Sequence, residues 1–186
     1  QVARIWEAVK YREANFDEEW MIIVTTDHGR GENGHGHGGQ SERERTTWIS
    51  TNVPVNNHFK AGGLAITDIA PSICRYMGFE VPQAVLWEQD GMPFIGKTDI
   101  YDLQTLPYDN MVELSWKSYS GNVPVTVYAA ADNKFKEGGK DEWIKVAELP
   151  AGATEYTVDL QTLPSSKFYK FVVLSPGNHL NRWLLK

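Results

Sequence analysis

From Met111 to the C-terminus the chain offers only short runs rich in β-branched and aromatic residues: Met111 to Tyr119, Val123 to Ala130, Trp143 to Leu149, Glu155 to Leu160, Phe168 to Leu174 and Leu180 to Leu185. Turn-forming residues separate them, and none carries the three-four spacing of an amphipathic helix. Strands this short and this regularly punctuated bury their apolar faces by pairing into two sheets, so the pattern predicts an all-β sandwich. Trp116, Tyr128, Trp143, Tyr169 and Trp183 fall on or beside these runs. They read as core residues rather than as a surface on which a carbohydrate stacks.

The first half reads differently. Val2, Ile5, Trp6 and Val9 mark an amphipathic helix from Gln1 to about Ala14. The unbroken apolar run Trp20 to Thr26 then predicts a strand covered on both faces of a parallel sheet, with Thr46 to Thr51 as the next strand. Helix followed by buried strand implies an α/β layer. A second helix opens at Thr67-Asp68, presents Ile69, Ile73, Tyr76 and Met77, and stops at Gly78. Asp68 reads as its N-terminal residue. Glu80 to Lys97 looks like loop, with a turn at Asp90-Gly91. Composition shifts between Thr98 and Asn110, which divides the chain into an α/β segment at 1–100 and a sandwich at 101–186. The hexapeptide Asp-Leu-Gln-Thr-Leu-Pro occurs at both 102–107 and 159–164, with no function assigned to it.

At 41% apolar and 12% aromatic, the 186 residues suffice to bury a core. The net charge of -6 argues against duplex nucleic acid as a partner, because backbone binding needs a basic face. An acidic protein can still take a phosphorylated small molecule where metal ions provide the positive charge. The apolar runs are too short for a transmembrane segment. Cys74, the single cysteine, reads as a buried thiol.

Chemistry concentrates between the two strands of the first half. Asp27-His28-Gly29 stands where the first strand ends, the place where open sheets bind ligands. A carboxylate next to an imidazole is a ligand pair suited to zinc or manganese. His35 and His37 follow in a loop whose glycines at 29, 31, 34, 36, 38 and 39 allow it to fold back on the strand end. Glu42-Arg43-Glu44-Arg45 borders this loop. Its arginines, Arg43 and Arg45, are candidate contacts for a phosphate or sulfate oxygen, with a solvated loop as the plainer reading.

The order of Ile22 to Gly29, His37-Gly38, Trp48-Ile49, Thr67 to Ile73 and Met77-Gly78 resembles the C-terminal part of the catalytic domain of the alkaline phosphatase superfamily. That group includes type I phosphodiesterases, nucleotide pyrophosphatases, sulfatases and cofactor-independent phosphoglycerate mutases. The resemblance covers about residues 1–97, with Asp90 to Phe94 similar to the family's closing turn. It implies that Asp27 and His28 ligate one ion of a two-metal site, zinc with manganese as the alternative, and that His37 ligates the other. His35 is the alternative ligand or a supporting residue. It further implies a nucleophile and remaining ligands upstream of Gln1, so that no catalytic nucleophile lies in this chain; Ser41 and Thr25 do not fit the family's nucleophile motif.

The sandwich resembles a fibronectin type III module, with Leu114-Ser115-Trp116 and Tyr169 to Val173 as the marking strands. Together these resemblances imply a metal-dependent hydrolase of phosphate mono- or diesters, inactive without its upstream segment. By analogy they also imply a periplasmic, secreted or cell-surface location. The alternatives are a sulfatase of the same superfamily, or a noncatalytic, metal-stabilised module that binds a glycan or protein. His58 and His179, each beside asparagine, read as loop residues without a role.

Overall fold

The structure is a computed structural model that describes residues 1–186. Helix α1 (Val2–Phe16) forms as its apolar spacing predicts and ends at Asp17, whose φ of 54° is left-handed. Its face remains largely open: Val9 is buried, while Val2, Ile5 and Trp6 are exposed. The strand expected at Trp20 to Thr26 condenses to β1 (Ile23–Thr25). After the glycine-rich loop and the short helix α2 (Glu42–Arg45), β2 (Ile49–Thr51) returns beside it.

The two strands pair antiparallel, with Ile23 opposite Thr51 and Thr25 opposite Ile49. This corrects the parallel sheet expected from the apolar run. A parallel neighbour needs a crossover that carries the chain back to the starting end of the strand. The glycine-rich loop and α2 instead turn the chain round at the end of β1, so it retraces the same edge. β1 is also only half-buried, as a two-stranded ribbon must be.

The chain divides into two compact units, 1–54 and 55–186. The compact division therefore falls earlier than the compositional shift near Thr98. The second unit begins with α3 (Asn57–Ala61), capped by the Asn56 side chain on the Phe59 amide. A 3-10 turn at Ile66–Asp68 leads into α4 (Ile69–Tyr76), and Gly78 leaves the helix at φ 67°. Within the expected loop a short helix forms, α5 (Gln83–Leu86). Gly91 has no alternative as a residue type, since a Cβ there would stand 2.0 Å from the Thr67 carbonyl oxygen.

Seven strands follow. They are β3 (Ile100–Tyr108), β4 (Met111–Ser118), β5 (Val125–Ala130), β6 (Ile144–Leu149), β7 (Glu155–Asp159), β8 (Phe168–Leu174) and β9 (His179–Leu185). They form an antiparallel sheet in the order β3-β4-β7 and another in the order β6-β5-β8-β9. Inward residues of both sheets, among them Val112, Leu114, Trp116, Val127, Val158, Phe171 and Val173, make one apolar cluster. Six of these strands match the runs read from the sequence. β3 was hidden in the stretch taken for a boundary, because Pro107 and a break in register between Tyr101 and Gln104 disguise its alternation.

The outer face of the four-stranded sheet is covered as well. Tyr128, Val172 and Asn181 are directly opposite one another in the register and so share this face, with Lys170 two residues from Val172. Trp87 stacks on Tyr128 with ring centroids 4.7 Å apart, and Asn181 donates to the carbonyls of Trp87 and Gln89. The segment after α5 thus forms a third layer on the sandwich, and β8 reads as a continuous buried run because both its faces are covered.

Candidate metal centre

The loop from Gly29 to Gly39 closes on itself. The Gly31 amide donates to the Gly36 carbonyl, and the Gly34 amide donates to that of Gly31. Gly34, Gly36 and Gly38 all have positive φ, which lets a short segment reverse direction twice. The consequence is that His37 returns to His28: their rings stack with centroids 4.2 Å apart and planes 30° apart.

Gly29 fixes the base of the loop. Its amide donates to the Glu44 carbonyl at 2.8 Å. A Cβ on it would lie 1.9 Å from the Arg43 carbonyl oxygen, so the residue after His28 must be glycine. Glu44 then ties the far side: its carboxylate accepts from the Ser41 hydroxyl at 2.7 Å and the Gly39 amide at 3.0 Å. The Ser41 and Gly39 hydrogen bonds, with a contribution from nearby His37, hold the Glu44 carboxyl below its ordinary value. Nothing in the sequence marked Glu44 for this task except its position three residues after a helix-capping serine.

His28 is positioned on both sides of its ring. Nδ1 lies 2.6 Å from the Gly29 carbonyl oxygen, and Nε2 lies 3.2 Å from Asp27 Oδ2. A carbonyl can only accept, which assigns the ring proton to Nδ1 and leaves Nε2 as an acceptor near the exposed Asp27 carboxylate. Two acceptors at that separation repel unless a cation stands between them, either a second proton or a metal ion. The arrangement has the form of a ligating histidine oriented from behind by a backbone carbonyl. The spacing also fits, since two ligands on a tetrahedral zinc, each about 2.0 to 2.1 Å from it, stand roughly 3.3 Å apart.

His37 does not add a third donor to the same point. Stacked imidazoles keep their in-plane lone pairs in two separate planes, here 30° apart, and no group of three or more His, Cys, Asp or Glu side chains is arranged to hold a single ion. Parallel rings can instead serve adjacent ions, which in two-metal sites lie about 3.5 to 4 Å apart. His35 is not drawn in: its ring is exposed and its amide donates to the Asn33 side chain. Arg43 donates to the Glu32 carbonyl at 3.1 Å, while Arg43 and Arg45 are both exposed. An open cleft lined by Gly29, Arg30, Glu32, Ser41 and Arg43 lies beside the loop.

The remaining histidines are set into the second unit. His58 is buried on α3, with Nε2 2.9 Å from Asp68 Oδ2 and Nδ1 3.4 Å from the Tyr119 hydroxyl. Asp68 does not cap α4 with its side chain; it accepts from the amides of Ala65 and Met92 as well as facing His58. His179 is the first residue of β9, and burial pushes its imidazole below the ordinary value. The sequence reading of both histidines as loop residues is corrected: His58 lies in α3 with partners at Asp68 and Tyr119, and His179 opens β9 with a buried Nε2 that has no hydrogen-bond partner.

No protein-family profile matches the chain, and no curated protein does. Among solved structures, two of a pectate lyase from Pectobacterium carotovorum are 28% and 32% identical over 47% and 45% of this chain. They align over 26% and 24% of their own length, with TM-scores of 0.33 and 0.32. A spore cortex lytic enzyme from Clostridium perfringens is 17% identical over 47% of this chain and 27% of its own, with a TM-score of 0.34. The chain thus spans about a quarter of the length of each. Likeness at these TM-scores establishes neither the fold of this chain nor its activity.

Proposed function

We propose that this chain belongs to a metal-dependent hydrolase of phosphate mono- or diesters and contributes part of a two-metal site. The observation that carries the reading is the approach of His28 Nε2 to Asp27 Oδ2, 3.2 Å apart, with the ring proton committed to Gly29. Asp27 and His28 would hold one ion and His37 the other. Bound divalent ions would supply Lewis-acid polarisation of an ester oxygen and positive charge for an anionic substrate. The chain's own residues position that chemistry: Gly29 orients His28, the folded glycine loop delivers His37, and Glu44 anchors the loop's return. Exposed Arg43 and Arg45 would meet a phosphate oxygen.

The resemblance to the alkaline phosphatase superfamily supports the same reading, under which the nucleophile would lie outside these residues. For the second unit, the three-plus-four strand arrangement supports a fibronectin type III-like module. That pairing favours a periplasmic, secreted or cell-surface protein.

Calorimetric titration of zinc and of manganese into the chain and its Asp27→Asn, His28→Ala and His37→Ala variants tests the site. Each substitution is expected to lower affinity by about tenfold or more. Equal affinity in all four proteins would end the metal reading. A parallel assay with nitrophenyl phosphate, bis-nitrophenyl phosphate and nitrophenyl sulfate should show no turnover by this chain, and phosphoester turnover by a form extended upstream. Turnover of the sulfate alone would reassign the activity to a sulfatase. His28-dependent turnover by the 186-residue chain would show that it contains its own nucleophile.

A further inference from the structure

The third layer leaves a gap on the outer face of the four-stranded sheet. There a small cavity of about 150 Å³ is lined by Trp87, Trp143 and Trp183, with Glu88, Asp90, Lys170, Asn181 and Arg182 completing the wall. The three indoles are presented differently. Trp87 is buried and holds Trp143 edge-on, with centroids 5.0 Å apart and planes at 86°. Trp183 is 60% exposed, although it sits opposite buried Lys170 in the β8–β9 register. Phe168 stacks beside it at 5.9 Å and 27°. A tryptophan in the middle of a paired strand, held by a neighbouring ring and left open, is a fixed platform that covers nothing.

We propose that this cavity binds a single sugar ring carried on a glycan. A pyranose has an apolar C–H face that lies against an indole, and a rim of hydroxyls that need planar polar partners. Both are present. Asn181 commits its amide nitrogen to the carbonyls of Trp87 and Gln89 at 2.8 and 3.0 Å, which turns its oxygen into the acceptor that remains. Asp90, on the cavity wall, accepts hydroxyls.

Other ligand classes fit less well. The cavity is well below the few hundred Å³ of an ordinary drug-sized or nucleotide site, so it takes one ring while the rest of the ligand stays in solvent. A purely apolar ligand would desolvate Asp90 without pairing it. A quaternary ammonium would find aromatic faces, but Lys170 and Arg182 offset Glu88 and Asp90 in the wall, so no net negative charge favours it. The inference does not rest on the metal centre.

The test uses the full chain and the indole N–H resonances of its tryptophans. The methyl glycosides of glucose, galactose, mannose and N-acetylglucosamine are titrated one at a time. At least one is expected to move the Trp143 and Trp183 signals saturably in the millimolar range while the core Trp116 signal stays fixed. Trp183→Ala and Trp143→Ala are each expected to weaken that binding by about tenfold. An unmoved Trp116 signal in both variants shows that the sandwich is intact, so the loss is read at the cavity. No saturable shift with any of the sugars, equal binding by both variants, or a response to tetramethylammonium with none to sugars would each overturn the proposal.

Discussion

Gly29 shows how one hydrogen atom in place of a side chain decides the candidate site. Alanine there would drive a methyl group into the carbonyls of Arg43 and Thr46, at 1.9 and 2.9 Å. Gly29→Ala is expected to cost about 1 to 3 kcal/mol and to free the loop that carries His37. Amide exchange should show faster loss of the Gly29 proton, now bound to the Glu44 carbonyl, and unchanged protection there would refute the assignment. His179 provides the second test at this scale. Burial depresses its folded-state value, so within that window the unfolded chain binds the proton more readily than the folded one. Stability from this group is present above the ordinary histidine value, near 6.5, and is lost as pH falls below it. Urea titrations should show stability rising with pH across that window, and His179→Gln should flatten the slope.

At the level of elements, Lys170 on β8 joins three parts of the second unit. Its ammonium lies 2.6 Å from both Glu88, just after α5, and Asp141, before β6. Burial opposes the ionisation of Asp141, but Lys170 and the Phe135 amide outweigh it and hold the carboxyl low; burial pushes Glu88 up despite Lys170. Removing the cation leaves a nearly inaccessible carboxylate without compensation. Lys170→Met is therefore expected to destabilise by about 3 to 5 kcal/mol, and adding Glu88→Gln with Asp141→Asn should recover much of the loss. Denaturant midpoints measure both. A single variant as stable as the parent would show that the pair contributes no net energy.

For the whole molecule, the division at Pro54 and Val55 means that the sandwich and residues 55–99 form one packed body. Arg75 on α4 illustrates the joining: its guanidinium donates to the carbonyls of Ile95, Lys97 and Gly177. A fragment spanning 55–186 is expected to melt cooperatively. A fragment spanning 101–186 should melt at a clearly lower temperature, because it loses Ile100 from β3 and uncovers Tyr128, Val172 and Lys170. Equal melting temperatures would show that the covering layer adds no stability.

Local pattern alone settled the two helices at Val2–Phe16 and Ile69–Tyr76, and six of the seven sandwich strands, because periodicity and turn residues are properties of neighbours in sequence. The same pattern singled out Asp27, His28, His35 and His37 as candidates, together with the loop glycines; the preference for His37 came from the family resemblance, and its return to the His28 ring is a property of the folded loop. Strand direction was not legible, since an apolar run of three to seven residues is the same whether its partner runs parallel or antiparallel. Nor were the burial of His58 and the Lys170 ion pairs, whose partners lie 10 to 82 residues away. The repeated hexapeptide makes the limit plain. Asp102 to Pro107 lies in strand β3, with Asp102 at φ 57°, whereas in the second copy Leu160–Thr162 form a 3-10 turn. Leu103 and Leu160 are both buried, yet Leu106 is 61% exposed where its counterpart Leu163 is 8% exposed. Six identical residues supply the same local preferences in both places; the β4 partner strand in one and the end of β7 in the other decide which conformation satisfies the backbone.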